Sequence, residues 1–325
     1  MNNSLVTIFG GSGLLGRYAV RAFAQAGWRI KVGVRHPNLA HYLPPMGQVG
    51  QILVTKADVR DADQVAAALK GADAVVNLVG ILHPAGGQSY QSVHVEAPRT
   101  IAKAAKAAGA RALVHVSTMN ISPDSESAYA SSKAEGEIAL REEFPQATLI
   151  KPSLVFGPGD QFFNKFAGLA RILPFLPLIG GGHTKFQPVF AGDVAEAIAK
   201  CATDPATSGK SYELGGPAVY SVKDMLKLIL RETGRSRPLI PVPFWLASIQ
   251  AVFLQFLPGK LLTPDQVKFL RTDNVVTPGA LTLQNLGITP DSLEAVAPAY
   301  LWRFRPKGQY ENSASERVSG APEIL

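Results

Sequence analysis

Short β-branched runs alternate with longer segments that are apolar at helical spacing over the first half of the chain. The short runs predict six strands, at Leu5–Phe9, Arg29–Val34, Gln51–Thr55, Ala74–Val79, Ala112–Ser117 and Thr148–Lys151. The longer segments predict helices at Leu14–Ala26, Ala62–Leu69, Tyr90–Ala108 and Ala128–Glu143. Strands that alternate with helices are typical of successive βαβ units, so the pattern predicts a parallel sheet.

This alternation stops after Pro152, where glycine and proline become frequent. We therefore predict an α/β protein with a Rossmann-type, doubly wound parallel sheet and a smaller C-terminal lobe. Residues 1–155 form the predicted core, and residues 156–305 form the lobe, from which a segment at about 188–215 returns to the core. Residues 306–325 are rich in small and polar residues and are predicted to form a disordered tail.

The turn after the first predicted strand reads GGSGLLG over residues 10–16. Glycines spaced three residues apart, between a strand and a helix, let the backbone approach a pyrophosphate whose charge the helix N-terminus stabilises. Such a turn also occurs for packing alone, but here the strand, the helix and the next strand follow at the distances that a dinucleotide fold requires. We predict cofactor contacts from Gly10, Ser12, Gly13, Leu14, Leu15 and Gly16.

The end of the second predicted strand indicates which dinucleotide the chain takes. Folds that take NADH usually place Asp or Glu here to accept hydrogen bonds from the adenosine ribose. This chain has Arg35 and His36 instead, and a guanidinium can bind a 2′-phosphate in two places. The sequence therefore favours NADPH, and Arg17 either adds to the same positive patch or is a solvated residue of the first helical turn.

Tyr129 and Lys133 lie four residues apart on a predicted helix, so both side chains emerge on one face. A nearby ammonium lowers the pKa of a phenol and makes it a better acid-base group at neutral pH. The same spacing also occurs by chance in a half-buried Tyr beside a Lys. Its position after the fifth predicted strand favours the catalytic interpretation.

Taken together, these motifs resemble the short-chain dehydrogenase/reductase superfamily, in its extended or atypical branch. The resemblance covers about residues 4–235 and rests on GGSGLLG, Asp58-Val59, NLVG at 77–80 and YASSK at 129–133. It implies that Asp58 and Val59 flank the adenine and that Leu78, Val79 and Gly80 lie along the cofactor. It also implies that Lys133 contacts the nicotinamide ribose and that Ser117 or Thr118 completes a catalytic set with Tyr129.

Three later blocks, KPSLVFGPGDQFFNKFA, KFQPVFAGDVAEAI and KSYELGGP, narrow the resemblance. They are similar to the NADPH-binding accessory subunits of respiratory complex I that occur in mitochondria and in related alphaproteobacteria. This resemblance implies a structural NADPH and other complex I subunits as partners. Two departures from the enzymes agree with a vestigial catalytic set: Ser117 and Thr118 have no clear alignment, and His94 stands where extended members usually have asparagine.

The composition narrows the remaining possibilities. With 32 basic and 25 acidic residues the net charge is +7, and the basic residues are scattered, so a nucleic-acid partner is not indicated. One cysteine, Cys201, excludes an internal disulfide, and the six histidines lack metal-ligand spacing, so no metal site is predicted. A first strand near Leu5 leaves no room for a signal peptide, which predicts a bacterial cytoplasmic location.

The most apolar stretch, residues 244–257, is too short to span a bilayer. It predicts either core packing or contact with a partner or a membrane surface. Our functional prediction is an NADPH-binding, non-catalytic accessory subunit of complex I, peripheral on the cytoplasmic face of the inner membrane. The alternatives are a free-standing NAD(P)H-dependent short-chain reductase or epimerase/dehydratase and, less favoured, a redox-sensing binder.

Overall fold

The computed structural model describes residues 4–256 and 262–308. The chain forms two compact units. The first contains the described residues up to Pro152, together with Ala191–Leu214 and Val276–Thr289. The second contains Ser153–Phe190, the described part of Gly215–Val275 and residues 290–308. The sequence pattern did not indicate that Val276–Thr289 belongs to the first unit, and most of the predicted disordered tail lies outside the described residues.

The first unit contains a seven-stranded, wholly parallel sheet with the order β11-β6-β5-β4-β1-β2-β3. Numbered along the chain, its strands are β1 Leu5–Phe9, β2 Arg29–Val34, β3 Ile52–Lys56, β4 Ala74–Asn77, β5 Ala112–Val116, β6 Thr148–Pro152 and β11 Ser211–Leu214. Its helices are α1 Leu14–Gln25, α2 Ala62–Leu69, α3 Ala97–Ala107, α4 Ala128–Glu143 and α6 Ala191–Thr203. Helix α1 packs on α6, and α3 packs on both α2 and α4, so the predicted doubly wound fold is confirmed.

One predicted helix is divided in two. The segment predicted as Tyr90–Ala108 is a π-helical turn at Gln91–Glu96 followed by α3. Pro98 has no N–H and cannot donate to the carbonyl of His94 four residues earlier, so the regular helical ladder is interrupted there. Helix α4 occupies the freed space, because a methyl group at its Gly136 would overlap the carbonyl oxygen of His94.

Buried apolar side chains hold this unit together. Phe9, Leu69, Ile101, Leu113 and Leu140 form a cluster from strands and helices and are almost fully inaccessible to solvent. Full burial of such a side chain contributes about 1.5–3 kcal/mol. This core fixes where the sheet ends, and therefore where the loops after the strands begin.

The second unit has short strands and several helices. Its strands are β7 Val155–Phe156, β8 Leu176–Ile179, β9 Lys185–Phe186, β10 Val189–Phe190, β12 Tyr220–Ser221 and β13 Leu239–Val242. They pair as β7 with β10, β8 with β13 and β9 with β12. Its helices are α5 Phe163–Ile172, α7 Val222–Glu232, α8 Phe244–Leu254, α9 Pro264–Phe269, α10 Leu293–Val296 and α11 Pro298–Leu301. Its main cluster includes Phe156, Phe163, Met225, Ile229 and Leu301.

Candidate cofactor site

Five neighbouring parallel strands end at one edge of the sheet, and the predicted site residues follow those ends. In sheet order the strands are β3, β2, β1, β4 and β5. The residues that follow them are Asp58 and Val59, Arg35 and His36, Gly10–Gly16, Leu78–Gly80, and Ser117 with Thr118. Tyr129 and Lys133 are on α4. This edge is where nucleotides bind in open α/β sheets.

The glycines of the first loop have different amounts of space around them. Gly10 has φ +79°, and a methyl group there would lie 3.1 Å from the backbone of Leu78 and Val79. A methyl group at Gly16 would lie 2.5 Å from backbone atoms of Gly11 and even closer to the carbonyl oxygen of Gly10. At Gly13 the nearest atom would be 3.4 Å away, the carbonyl oxygen of Gly10. Gly10 and Gly16 thus serve the packing of the loop, whereas Gly13 has no such need.

The N-terminus of helix α1 carries no local negative charge or side-chain cap in the described structure. Gly13 is the cap residue, with extended backbone, and neither a side-chain cap nor an acidic residue in the first turn is present. Ser12 and Gly13 are exposed, and Tyr42 Oη donates a 2.6 Å hydrogen bond to the carbonyl oxygen of Ser12. The first amides of α1 are therefore available to an anion. Tyr42 lies 30 residues away in sequence, so no local signal could have predicted its role.

Positively charged side chains surround the loops after β2 and β3. The side-chain hydrogen bond from Arg60 lowers the pKa of Asp58, and the charge of the exposed Arg35 lowers it further. Arg60 Nη2 lies 2.6 Å from Asp58 Oδ2, so that carboxylate already has a cationic partner. Arg17 Nε is buried without a hydrogen-bond partner in the described part of the chain. No motif in the sequence indicated a role for Arg60.

Lys133 and Ser117 are buried where β4, β5 and α4 meet. Lys133 Nζ donates a 3.0 Å hydrogen bond to the carbonyl oxygen of Val116, and burial lowers its pKa to about 8. A methyl group at Gly80 would lie 3.8 Å from both Lys133 Nζ and His94 Nε2, so these groups surround that glycine. Ser117 Oγ is buried without a partner among the described residues. Thr118 Oγ1 instead lies 3.5 Å from the carbonyl oxygen of Pro152.

His94 joins three elements through its two ring nitrogens. The backbone N–H of Ile81 donates to Nε2 at 3.0 Å, so the proton lies on Nδ1, which donates to Ser132 Oγ at 2.9 Å. Ser132 Oγ in turn donates to the carbonyl oxygen of Tyr129 at 2.9 Å. The His94 ring also stacks on Tyr90 and meets the ring of Tyr129 edge-on. Burial lowers the pKa of His94 to about 3, so the ring is neutral.

A second buried histidine holds the end of β4. Asn77 Nδ2 donates to His115 Nδ1 at 3.1 Å, and Asn77 Oδ1 accepts from the backbone N–H of Val79 at 3.1 Å. Complete burial keeps the pKa of His115 well below its usual value. The sequence pattern marked His94 only as a departure from the family motif and indicated no role for His115. Each is defined by contacts with residues that are distant in sequence.

These residues fit an NAD-type nucleotide. The open glycine loop and the uncapped helix suit a pyrophosphate. Arg17 Nε and Ser117 Oγ are buried donors with no acceptor among residues 4–256 and 262–308. Within residues 4–256 and 262–308, no group of three or more His, Cys, Asp or Glu could hold a metal ion.

Comparison with known proteins assigns the chain to a family. Residues 6–215 match the model of the NAD dependent epimerase/dehydratase family. The NADH dehydrogenase (ubiquinone) 1 alpha subcomplex subunit 9 of Arabidopsis thaliana mitochondria is 32% identical, over 97% of this chain and 81% of that protein. The Mus musculus protein of the same name is 33% identical, over 93% and 80%.

Among solved structures, dTDP-glucose 4,6-dehydratase DesIV from Streptomyces venezuelae, with NAD and TYD bound, superposes with a TM-score of 0.70 at 19% identity. It covers 92% of this chain and 96% of that one, which shows a shared fold. This chain therefore belongs to the NAD dependent epimerase/dehydratase family, and its homologues include mitochondrial NADH dehydrogenase subunits.

Proposed function

We propose that this chain is an NADPH-binding accessory subunit of an alphaproteobacterial-type respiratory complex I, bound peripherally on the cytoplasmic face of the inner membrane. The observation that carries the proposal is the extent of the similarity to the NADH dehydrogenase subunits. It runs over 97% of the chain for the Arabidopsis protein and so includes both compact units. The partners are then other subunits of that complex.

The charges around the adenosine end support NADPH over NADH. Arg35 follows β2 where an NADH site would have a carboxylate, and Asp58, a carboxylate near it, is already bound by Arg60. Arg17 adds a second guanidinium, whose buried Nε has no hydrogen-bond partner among the described residues. Two guanidinium groups can neutralise a 2′-phosphate with charge-assisted hydrogen bonds.

In this proposal the remaining predicted residues hold the nucleotide. Gly10, Ser12, Gly13, Leu14, Leu15 and Gly16 surround the pyrophosphate, and His36, Asp58 and Val59 lie beside the adenosine. Leu78, Val79 and Gly80 lie along the cofactor, and Tyr129 and Lys133 contact its nicotinamide end. Bound NADPH would supply a hydride donor, but the proposed role here is structural.

A second function, a free-standing carbonyl reductase, is favoured by one observation. Ser117 Oγ is buried and unpartnered in the described part of the chain, next to the buried Lys133, as a substrate-binding hydroxyl would be. Tyr129 would then act as the acid-base group and Lys133 would stabilise its phenolate.

Native isolation from membranes tests the two functions against each other. We expect the chain to co-migrate with NADH:ubiquinone oxidoreductase activity and to release NADPH on denaturation, measured by chromatography of the released nucleotide. If instead the protein purifies alone and oxidises NADPH with a panel of small carbonyl compounds, the reductase function replaces the subunit function.

Helix α8 supports a contact with the membrane surface. Trp245, Ile249, Val252 and Phe253 on α8 are exposed, as is Phe256 in the turn two residues past its end. They follow one another at helical spacing and form one apolar stripe. We refer to these five residues as the α8 stripe. Arg271 lies over the ring of Phe244, and Lys268 is exposed on α9, which packs on α8. An apolar helix rich in aromatic residues beside cations suits a lipid headgroup region.

None of the described helices has the length and apolarity needed to cross a bilayer. Helix α8 has 11 residues, about 17 Å of helix, against a hydrocarbon core of roughly 30 Å. A surface contact is therefore the form of membrane binding that we propose. Leu257, the last residue of the predicted apolar stretch, lies outside the described residues.

A further inference from the structure

Beneath the cofactor site lies a buried ion pair that the proposed function does not use. Glu137 follows Lys133 by one turn on α4, and its Oε2 lies 2.7 Å from Nζ of Lys151 on β6. Both side chains are largely removed from solvent, with 12% and 20% exposed. Residues four apart on a helix share a face, so Glu137 and Lys133 are neighbours.

The side chains around Lys133 are neutral except for one carboxylate and the cation that is paired with it. Tyr129 and Glu137 share its face of α4, and its charge acts on His94 of the π turn and on His115 of β5. Lys151 on β6 contacts Glu137, and its charge also acts on His115. The ion pair between α3 and α4, Arg99 with Glu142, is on the surface. Among the described residues, Glu137 is therefore the carboxylate whose charge acts on Lys133.

A contribution to stability does not account for the ion pair of Glu137 with Lys151. Oε1 is buried and has no hydrogen-bond partner in the described part of the chain. A buried ion pair of this kind usually contributes little net stability, and a buried unpaired oxygen is a cost. A buried carboxylate at Glu137 has a function if its negative charge stabilises the ammonium of Lys133 one helical turn away.

We propose that Glu137 is a positioning residue that keeps the ammonium of Lys133 charged beneath the nicotinamide end of the cofactor. Lys151 holds the Glu137 side chain in place and offsets part of its negative charge. This inference rests on the proposed nucleotide binding. It adds two residues, one turn and one strand away from the site, to the groups that set the pH range of binding.

Opposite effects are expected from the two members of the pair. In Glu137→Gln, the attractive charge is lost and the charge of Lys151 is uncompensated, so the pKa of Lys133 falls by about one unit or more. In Lys151→Met, the carboxylate acts on Lys133 alone, so the pKa of Lys133 rises. The double variant removes both charges and should fall between the two. A purely structural role would weaken the fold in each variant without this reversal of sign.

The experiment measures the pKa of Lys133 directly and without nucleotide. The full chain is labelled with 13C at lysine Cε, its signals are followed by NMR across the alkaline range, and Lys133→Arg identifies the signal. We expect the midpoint near 8 in the wild type, lower in Glu137→Gln and higher in Lys151→Met. In parallel, the NADPH dissociation constant is measured against pH, and its alkaline rise should begin about one pH unit earlier in Glu137→Gln.

The inference is wrong if the Lys133 midpoint is unchanged in both variants or moves in the same direction in both. Because the two substitutions are tested separately, failure of one variant to fold leaves the other to decide. If the midpoints move as expected but the wild type binds no NADPH, the electrostatic coupling stands and the proposed nucleotide function fails. If NADPH binds but the midpoints do not move, only the role of Glu137 is lost.

Discussion

At the residue scale, Gly10, Gly13 and Gly16 of the first loop have different surroundings. Gly10 has a left-handed backbone conformation, Gly16 lies against the backbone of Gly10 and Gly11, and Gly13 is exposed to solvent. The sequence motif treats them alike, since only their spacing is visible. Their surroundings predict that substitution will separate folding from nucleotide binding.

Gly16→Ala should destabilise the protein, because its methyl group meets backbone atoms that cannot move aside. Overpacking of this kind costs about 1–3 kcal/mol, offset in part by the better helix propensity of alanine. Gly13→Ala is the matched control. Its free energy of unfolding should stay near that of the wild type, while NADPH affinity falls because the methyl group projects where the pyrophosphate would approach. Denaturant unfolding and nucleotide titration measure the two effects, and a stable Gly16→Ala protein would contradict the first.

Arg35 should determine which nucleotide binds more tightly. Arg35→Ala removes a charge-assisted contact to the 2′-phosphate, worth about 1.5–3 kcal/mol, so NADPH affinity should fall about tenfold or more while NADH affinity changes little. Arg29→Ala, at the opposite end of β2, is the control. Isothermal titration with both nucleotides gives the ratio. An equal loss for NADH and NADPH would mean that Arg35 does not contact the 2′-phosphate.

At the scale of elements, the π turn, the loop after β4 and helix α4 are joined by one imidazole. His94 accepts from Ile81 and donates to Ser132, and both bonds require the neutral ring with its proton on Nδ1. Protonation would put a hydrogen on Nε2 and break the bond to Ile81. The position of these three elements therefore depends on the charge state of His94.

The pKa of His94 is lowered by burial to about 3 in the folded chain, against its ordinary value of 6.5. The unfolded chain therefore binds more protons between these values, and stability must fall as pH decreases from 6.5 towards 3. The loss from His94 alone is on the order of 3 kcal/mol at pH 4. His94→Asn should be less stable at pH 7, through the lost bonds, but should show a shallower decline in acid. Urea unfolding at several pH values measures this, and parallel slopes for the two proteins would contradict it.

At the scale of the whole molecule, the second unit exposes an apolar surface on helix α8. Helix α8 buries Ala247 and Ala251, while Trp245 and Phe253 are 65% and 70% exposed. Exposed aromatic residues in such a stripe indicate binding to another surface. The proposed occupant is the membrane, which would hold the chain beside a membrane-bound complex.

A double substitution, Trp245→Ser with Phe253→Ser, should weaken binding to phosphatidylglycerol-containing vesicles by about tenfold or more, since each side chain contributes about 1.5–3 kcal/mol when buried. Leu53→Ser is the control, because Leu53 is 59% exposed on β3 of the other unit. Co-sedimentation with vesicles measures the binding. If the wild type does not sediment with vesicles but the double variant no longer co-purifies with the respiratory complex, the α8 stripe is a protein interface instead.

Much of the fold followed from local pattern. Strands β1 and β2 and helices α2 and α4 begin and end where the sequence predicts, because apolar periodicity and burial coincide in a sheet covered on both faces. The interruption of the helix at the π turn has a local signal in Pro98, but the close approach of Gly136 on α4 to the carbonyl of His94 has none, because the two residues lie on different elements. The contribution of Val276–Thr289 to the first unit also has no local signal.

By itself, the sequence determined the parallel sheet, the glycine loop and the spacing of Tyr129 and Lys133, because each is set by residues close together in the chain. Only the tertiary structure decided which charges meet. The pairing of Glu137 with Lys151, and the burial that lowers the pKa values of Lys133 and His94, depend on how the segments pack. Electrostatic energies depend on distance in space and on removal from water, and neither quantity is written in sequence order.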